Sequence, residues 1–291
     1  MAINISSVSS HREREKGIIV YPVYSRRSGG LSLGINLFPG RKCCQFDCPY
    51  CEVFPFSANA EFSLEQMEND LRLVIAGVTL GEASRAEGRN VKIKDICFSG
   101  NGEPTLSPAF GEALAKAEKI REETAPSAQL VVITNGAGLL QPEVFSVLKK
   151  AACNPAFNIW LKLDAGTPGW YEKMNRCSIP FGTLTAKIKE FIISAGMSAP
   201  KSAPVTIQTM LCAINGEAPP EEEERSWINF LLEAAGSAAA VGKVHIYGKA
   251  RPAPEDPLAS ALPAEFLERR AESLRRAFAD RSVNISVETY L

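Results

Sequence analysis

The sequence predicts an α/β protein in which about six strand-helix units are arranged around a parallel sheet. Three observations predict it. Short β-rich apolar runs alternate with segments of helical period, which is the pattern of βαβ units. The 291 residues are 45% hydrophobic and 22% charged, an ordinary globular composition with enough apolar side chain for a core, so disorder and collagen-like repeats are excluded. No apolar run reaches the roughly 18 residues that a membrane span requires.

The first strand is expected at residues 33–38 (LGINLF). Ser63 and Gln66 then form a capping-box pattern ahead of Leu64, Met67, Leu71, Val74 and Val78, which recur on one helical face. The polar, Gly-containing stretch 79–90 reads as a surface loop. Strands follow at 92–98, 129–133, 157–163, 205–211 and 242–247, with helices at 108–122, 141–150, 181–195 and 221–235 between them. The acidic run Glu221 to Glu224 falls where a helix N-terminus favours negative charge and reads as a solvated first turn. The proline-rich segment 249–263 reads as an extended cover or tail connection. A last helix at 264–279 carries Leu267, Ala271, Leu274 and Phe278 on one side, and Val283, Ile285 and Val287 alternate as a C-terminal edge strand would.

With 32 basic and 33 acidic residues the formal charge is -1, which argues against bulk electrostatic binding of nucleic acid. His11 and His245 are the only histidines, which argues against metal sites built on histidine and against most His-based acid/base schemes. The eight cysteines are too few for a disulfide scaffold. Cys44, Cys48 and Cys51 crowd into one short stretch with Cys43 beside them, a clustering that reads as metal chemistry in a reducing compartment. The first residues lack a signal-peptide run, and the expected location is the cytoplasm, with no membrane partner.

Within RKCCQFDCPYCEVFPF, Cys44, Cys48 and Cys51 fall in the spacing C-x3-C-x2-C directly after the first expected strand. A structural zinc site closes its tetrahedron with a fourth Cys or His, and the chain offers no second CxxC and no nearby His. An electron-transfer iron-sulfur cubane also takes four ligands, so three leave one iron open for other chemistry. The loop CQFDCPYC, with Tyr50 before the last cysteine, resembles the cluster loop of the radical S-adenosylmethionine (radical SAM) enzymes. YSRRSGGLSLGINLFPGRKCCQFDCPYC, FSGNGEPTL, LKLDAGTPGWYEKMNR and YGKARPAPEDP resemble successive blocks of the radical SAM group related to wyosine-tRNA synthases.

The resemblance implies a partial (β/α)6 TIM-like barrel. It implies a 4Fe-4S cluster on Cys44, Cys48 and Cys51, with the fourth iron binding S-adenosyl-L-methionine and reductive cleavage giving a 5'-deoxyadenosyl radical. Cys44 matches the family spacing, whereas Cys43 would read C-x4-C-x2-C. Gly102 and Glu103 resemble the family's Gly-Gly-Glu motif for the methionyl amine, with Asn101 in place of the first of the paired glycines or Gly100 displaced by one. Thr134 and Asn135 end the third strand and Lys162 and Asp164 the fourth, at the strand ends that carry chemistry in barrels. By resemblance these residues, with Gln208 on the fifth strand and Tyr50, meet the cofactor. Simpler readings are that Thr134 and Asn135 only turn the chain and that Lys162 pairs with Asp164.

Arg26 and Arg27, and Lys249 and Arg251, are candidates for holding a substrate carboxylate or phosphate, or are ordinary surface cations. Cys177 is a hydrogen-atom donor or a buried thiol, and Cys97, Cys153 and Cys212 lack metal-ligand spacing. The blocks run from Tyr24 to Pro257, so the expectation is one barrel domain over 21–291 with a C-terminal helix and tail, after an N-terminal extension over 1–20. The expected partners are a flavodoxin- or ferredoxin-type electron donor and an unidentified substrate: an RNA base, a small molecule or a peptide. The rival from another class is a non-catalytic iron-sulfur protein for electron transfer or redox sensing.

Overall fold

The computed structural model describes residues 17–53, 55–81, 91–198, 203–237, 240–251, 253 and 256–290. Most of the expected N-terminal extension and of the loop 79–90 lies outside the described residues. The described chain falls into two compact units, one from the stretch ending at Cys44 with Pro55–Ile133, the other from Gln45–Phe54 with Thr134 onward.

In the first unit β1 (Val20–Ser25) runs antiparallel to β2 (Gly30–Ile35). β3 (Ile93–Phe98) pairs parallel with β2 and with β4 (Gln129–Thr134). β1 was not expected from sequence because Pro22 interrupts its apolar pattern. Pro22 is tolerated because, among the described residues, β1 is the edge of its sheet and β2 is its one strand neighbour. β2 begins three residues earlier than expected, and Leu31, Leu33 and Ile35 are fully buried in it. The strand stops at Asn36, whose Oδ1 accepts from the Phe38 and Asn101 backbone N–H groups at 3.1 and 3.2 Å and so turns the chain toward the cysteine loop. Helix α1 (Leu64–Thr79) starts at Ser63, whose hydroxyl accepts from the Gln66 N–H at 3.2 Å, as the capping pattern predicts. It buries Met67, Leu71, Ile75 and Val78 and packs beside α2 (Phe110–Thr124).

In the second unit β5 (Phe157–Lys162), β6 (Val205–Leu211), β8 (Val241–Gly248) and β10 (Ser286–Tyr290) form successive parallel pairs. The expected C-terminal strand is therefore present, shifted to later residues and paired with β8. The helices here are α3 (Pro142–Ala151), α4 (Pro168–Asn175), α5 (Phe181–Ser198), α6 (Glu221–Ser237) and α7 (Ala264–Asp280). α4 is short and was not expected. Its signal is Thr167-Pro168: the Thr167 hydroxyl accepts from the Trp170 N–H at 3.3 Å, and proline occupies the first turn, where no N–H partner is needed. Within the proline-rich segment, β9 (Ala259–Ser260) pairs antiparallel with β7 (Ala213–Ile214).

The acidic run at the start of α6 is only partly solvated. Glu221 and Glu222 are exposed, but Glu223 is buried, accepts from the Thr167 hydroxyl at 2.6 Å and from the Gly166 N–H, and caps the approach to α4. Glu224 pairs with Arg270, whose guanidinium also donates to the Pro219 carbonyl at 2.7 Å.

Candidate functional site

In the second unit the cysteine loop meets the C-terminal end of β5. The Tyr50 hydroxyl, between Cys48 and Cys51 in sequence, donates to Asp164 Oδ2. The same oxygen takes an N–H from the Asn175 amide at 3.1 Å and lies 3.2 Å from the Lys162 ammonium. The other oxygen, Oδ1, accepts from the Met210 backbone N–H at 2.9 Å. Lys162 Nζ donates to the Tyr247 hydroxyl at 2.6 Å and stands 5.0 Å from the Tyr50 ring centroid. Asp164 is buried and accepts from four groups, so its charge is fully compensated by its own neighbours.

Electrostatics follow from this packing. Burial alone would lower the Lys162 pKa, yet the Asp164 carboxylate and then Tyr247 hold its ammonium above the usual lysine range. Burial, reinforced by Asp164 and Cys48, pushes the Tyr50 phenol well above its ordinary value, so it stays protonated as a donor. Burial pushes the Cys48 thiol up to about 11, against the lowering pull of Lys162.

Of the expected cofactor residues, the structure gathers Tyr50, Lys162 and Asp164. Gln208 is the β6 partner of Lys162 in register and is fully buried, with its amide nitrogen 3.3 Å from His245 Nδ1. Thr134 and Asn135 shape the turn after β4: the Thr134 hydroxyl accepts from the Gly136 N–H at 3.0 Å and the Asn135 Oδ1 from the Ala137 N–H at 2.9 Å. In the first unit, Gly102 and Glu103 lie against the chain at Cys43, whose N–H donates to the Asn101 carbonyl at 2.9 Å and whose carbonyl accepts from the Glu103 N–H at 2.8 Å. Only glycine fits at 102, because φ is 141° and a Cβ would overlap the Cys43 carbonyl. The buried Glu103 carboxylate accepts from the Thr105 hydroxyl at 2.6 Å and its N–H at 3.1 Å.

Sequence reasoning missed Asn175, Arg176 and Tyr247. Tyr247 could have been found from its place at the end of a strand, and Asn175 and Arg176 lie in the quoted block LKLDAGTPGWYEKMNR. The Asn175 amide is 3.6 Å from the Cys48 sulfur, and its backbone carbonyl accepts from the Asp47 N–H at 3.0 Å. Arg176, at a left-handed φ of 43°, pairs with Asp256 at 2.6 Å and Asp47 at 3.6 Å. Arg251 pairs with Glu52 at 2.9 Å, so two ion-pair ties fasten the proline-rich segment to the cysteine loop. Cys177 accepts from the Ile179 N–H at 3.4 Å, and the Tyr171 phenol is pushed up first by burial and then by Cys177. Cys97 and Cys212 are buried and Cys153 is exposed.

Cys44, Cys48 and Cys51 are of intermediate exposure and form no disulfide. Among the described residues no three His, Cys, Asp or Glu side chains are grouped as a ready metal site. The chemistry here nevertheless fits an iron-sulfur cluster: the loop supplies soft thiols and a tight turn in which the Cys51 N–H donates to the Cys48 carbonyl at 2.9 Å, and the Asn175 amide from α4 is directed at one sulfur.

Comparison with solved structures establishes the fold. The chain is similar to a radical SAM methyltransferase from Sphaerobacter thermophilus, with a TM-score of 0.61 at 16% identity over 92% of this chain and 68% of the other. Streptococcus suis SuiB bound to S-adenosylmethionine gives a TM-score of 0.61 at 13% identity, covering 91% of this chain and 52% of that one. TYW1 with a lysine-pyruvate adduct bound gives 0.50 at 17% identity, covering 84% and 73%. The fold class is α/β, the partial (β/α)6 TIM-like barrel of the radical SAM type, as the sequence resemblance implied.

In sequence, the chain is 28% identical over 178 residues to a UPF0026 protein of Helicobacter pylori, covering 61% of this chain and 51% of that protein. A UPF0026 protein of Synechocystis is 30% identical over 156 residues, covering 53% and 51%. The chain thus spans about half the length of these curated relatives. No family model matches it. Among the described residues no helix is long and apolar enough to cross a membrane.

Proposed function

We propose that this chain is a radical SAM enzyme in which Cys44, Cys48 and Cys51 hold a 4Fe-4S cluster and S-adenosyl-L-methionine binds at the C-terminal strand ends. One observation carries the reading: the loop with the C-x3-C-x2-C spacing is tied to a strand end through Tyr50 and Asp164, on a fold shared with radical SAM structures. When bound, cluster and cofactor supply reductive cleavage to methionine and a 5'-deoxyadenosyl radical, with the electron drawn from a flavodoxin- or ferredoxin-type donor.

The chain's own residues bind and orient. In this reading Gly102 lets backbone approach the methionyl group and the Glu103 carboxylate takes its ammonium. Thr134, Asn135, Lys162, Asp164 and Gln208 serve the carboxylate and ribose. A carboxylate offers about four lone-pair sites, and Asp164 already uses them, so a ribose hydroxyl enters where Lys162 yields. Lys162 is the partner on the more open side, with 17% of its side chain exposed, and its released ammonium then suits the cofactor carboxylate.

Anaerobic reconstitution with iron and sulfide, followed by dithionite and S-adenosylmethionine, is expected to yield 5'-deoxyadenosine. A protein with a full cluster that releases none overturns the proposal. The substrate class is an RNA base, a small molecule or a peptide. Retention of tRNA that falls steeply as salt rises selects RNA, and a flat response selects the others.

A further inference from the structure

Asn175 is buried at the end of α4, and the two hydrogens of its side-chain amide have two different partners. Nδ2 lies 3.1 Å from Asp164 Oδ2 and 3.6 Å from Cys48 Sγ. The orientation of the amide is fixed by charge, because its oxygen in that position would oppose the Asp164 carboxylate. The backbone holds it there: the Asn175 carbonyl accepts from the Asp47 N–H at 3.0 Å, and Arg176 follows with ion pairs to Asp47 and Asp256.

A hydrogen bond to a cluster-ligating sulfur stabilises the extra negative charge of the reduced state and so raises the reduction potential. We propose that Asn175 is a positioning residue that donates to the Cys48 sulfur, raises the potential of the cluster held there, and links that ligand to the Asp164–Lys162 pair. The inference rests on the cluster reading given above. Leucine matches asparagine in size without a donor, and serine is too short to reach the sulfur.

The test is an anaerobic redox titration of the reconstituted holoprotein, read by the electron paramagnetic resonance of the reduced cluster, for wild type, Asn175→Leu and Asn175→Ser. Both variants are expected to shift the one-electron reduction equilibrium against the reduced state by roughly tenfold, which is about 59 mV. Full-cluster variants that titrate with wild type overturn the assignment of Asn175 and leave the cluster reading intact. A wild-type protein that assembles no cluster overturns both. If Asn175→Leu fails to fold, Asn175→Ser decides alone: a lower potential supports the role and an unchanged one removes it.

Discussion

Replacing Asp164 by alanine tests whether the strand-end network is one coupled unit. The carboxylate is buried, accepts from Tyr50, Asn175 and the Met210 N–H, and lies 3.2 Å from Lys162. Its removal leaves a mostly buried ammonium without its counter-ion and three buried donors without this acceptor, a loss of about 3–5 kcal/mol. At about 2–4 °C per kcal/mol for a chain of this order of size, the melting temperature of the apoprotein should fall by roughly 10 °C. Lys162→Met removes the more open partner and leaves Asp164 with three donors, so it should cost about 1–2 kcal/mol. In Asp164→Ala/Lys162→Met no ammonium is stranded, and the double variant should be more stable than the sum of the single losses predicts by about 2 kcal/mol. Thermal and urea denaturation of the four apoproteins measure the cycle. Additivity to within about 0.5 kcal/mol would refute the coupling.

Three further outcomes are expected. Cys44→Ala, Cys48→Ala and Cys51→Ala should each fail to retain iron and sulfide on anaerobic reconstitution, while Cys43→Ala retains them; the reverse for Cys43 and Cys44 reassigns the ligand. Gly102→Ala places a Cβ onto the Cys43 carbonyl at φ 141° and should destabilise by about 2 kcal/mol or more. Gly169→Ala, where nothing stands within 4 Å of a Cβ, is the control, and equal melting temperatures would remove the steric argument. Burial raises the Glu223 pKa, despite hydrogen bonds from Thr167 and Gly166. The folded state therefore keeps this proton longer than the unfolded state, and the stabilisation present at low pH is lost as pH rises through the folded pKa. Glu223→Gln should flatten the fall in melting temperature from the usual carboxylate range upward, and identical pH profiles would contradict this.

The strands were legible because buried apolar runs such as VTIQTML carry a β signal that does not depend on partners. Gaps appeared where tertiary pairing decides: β1 exists because it lies on β2, and β9 because β7 is opposite. The site shows the same division. The sequence spacing marked the cysteine loop and the strand ends, and the simpler readings it left open hold as well: Lys162 pairs with Asp164, and Thr134 and Asn135 direct their oxygens to their own turn. Asn175 was illegible because its role depends on α4, a two-turn helix whose capping threonine and proline looked like part of a loop.

The same geometry bears on the substrate. A polyanion is held by cations whose charge is available to phosphates, and binding weakens with salt in proportion to their number. Among the cations that the sequence offers for substrate, Arg251 is paired with Glu52, and Lys249 donates to the Arg251 carbonyl at 2.7 Å. Burial raises the pKa of Asp95, against the lowering pull of Ser28, Ser32 and then Arg27, and its carboxylate accepts from the Ser32 hydroxyl at 2.5 Å. These charges serve the fastening of the segment after β8 and the balance inside the first unit's sheet. A small molecule or peptide needs only one or two such contacts. Under the proposed function, the contacts of Arg251 and Lys249 and the net charge of -1 predict a flat salt response in the tRNA-retention assay, and a steep one would overturn that expectation.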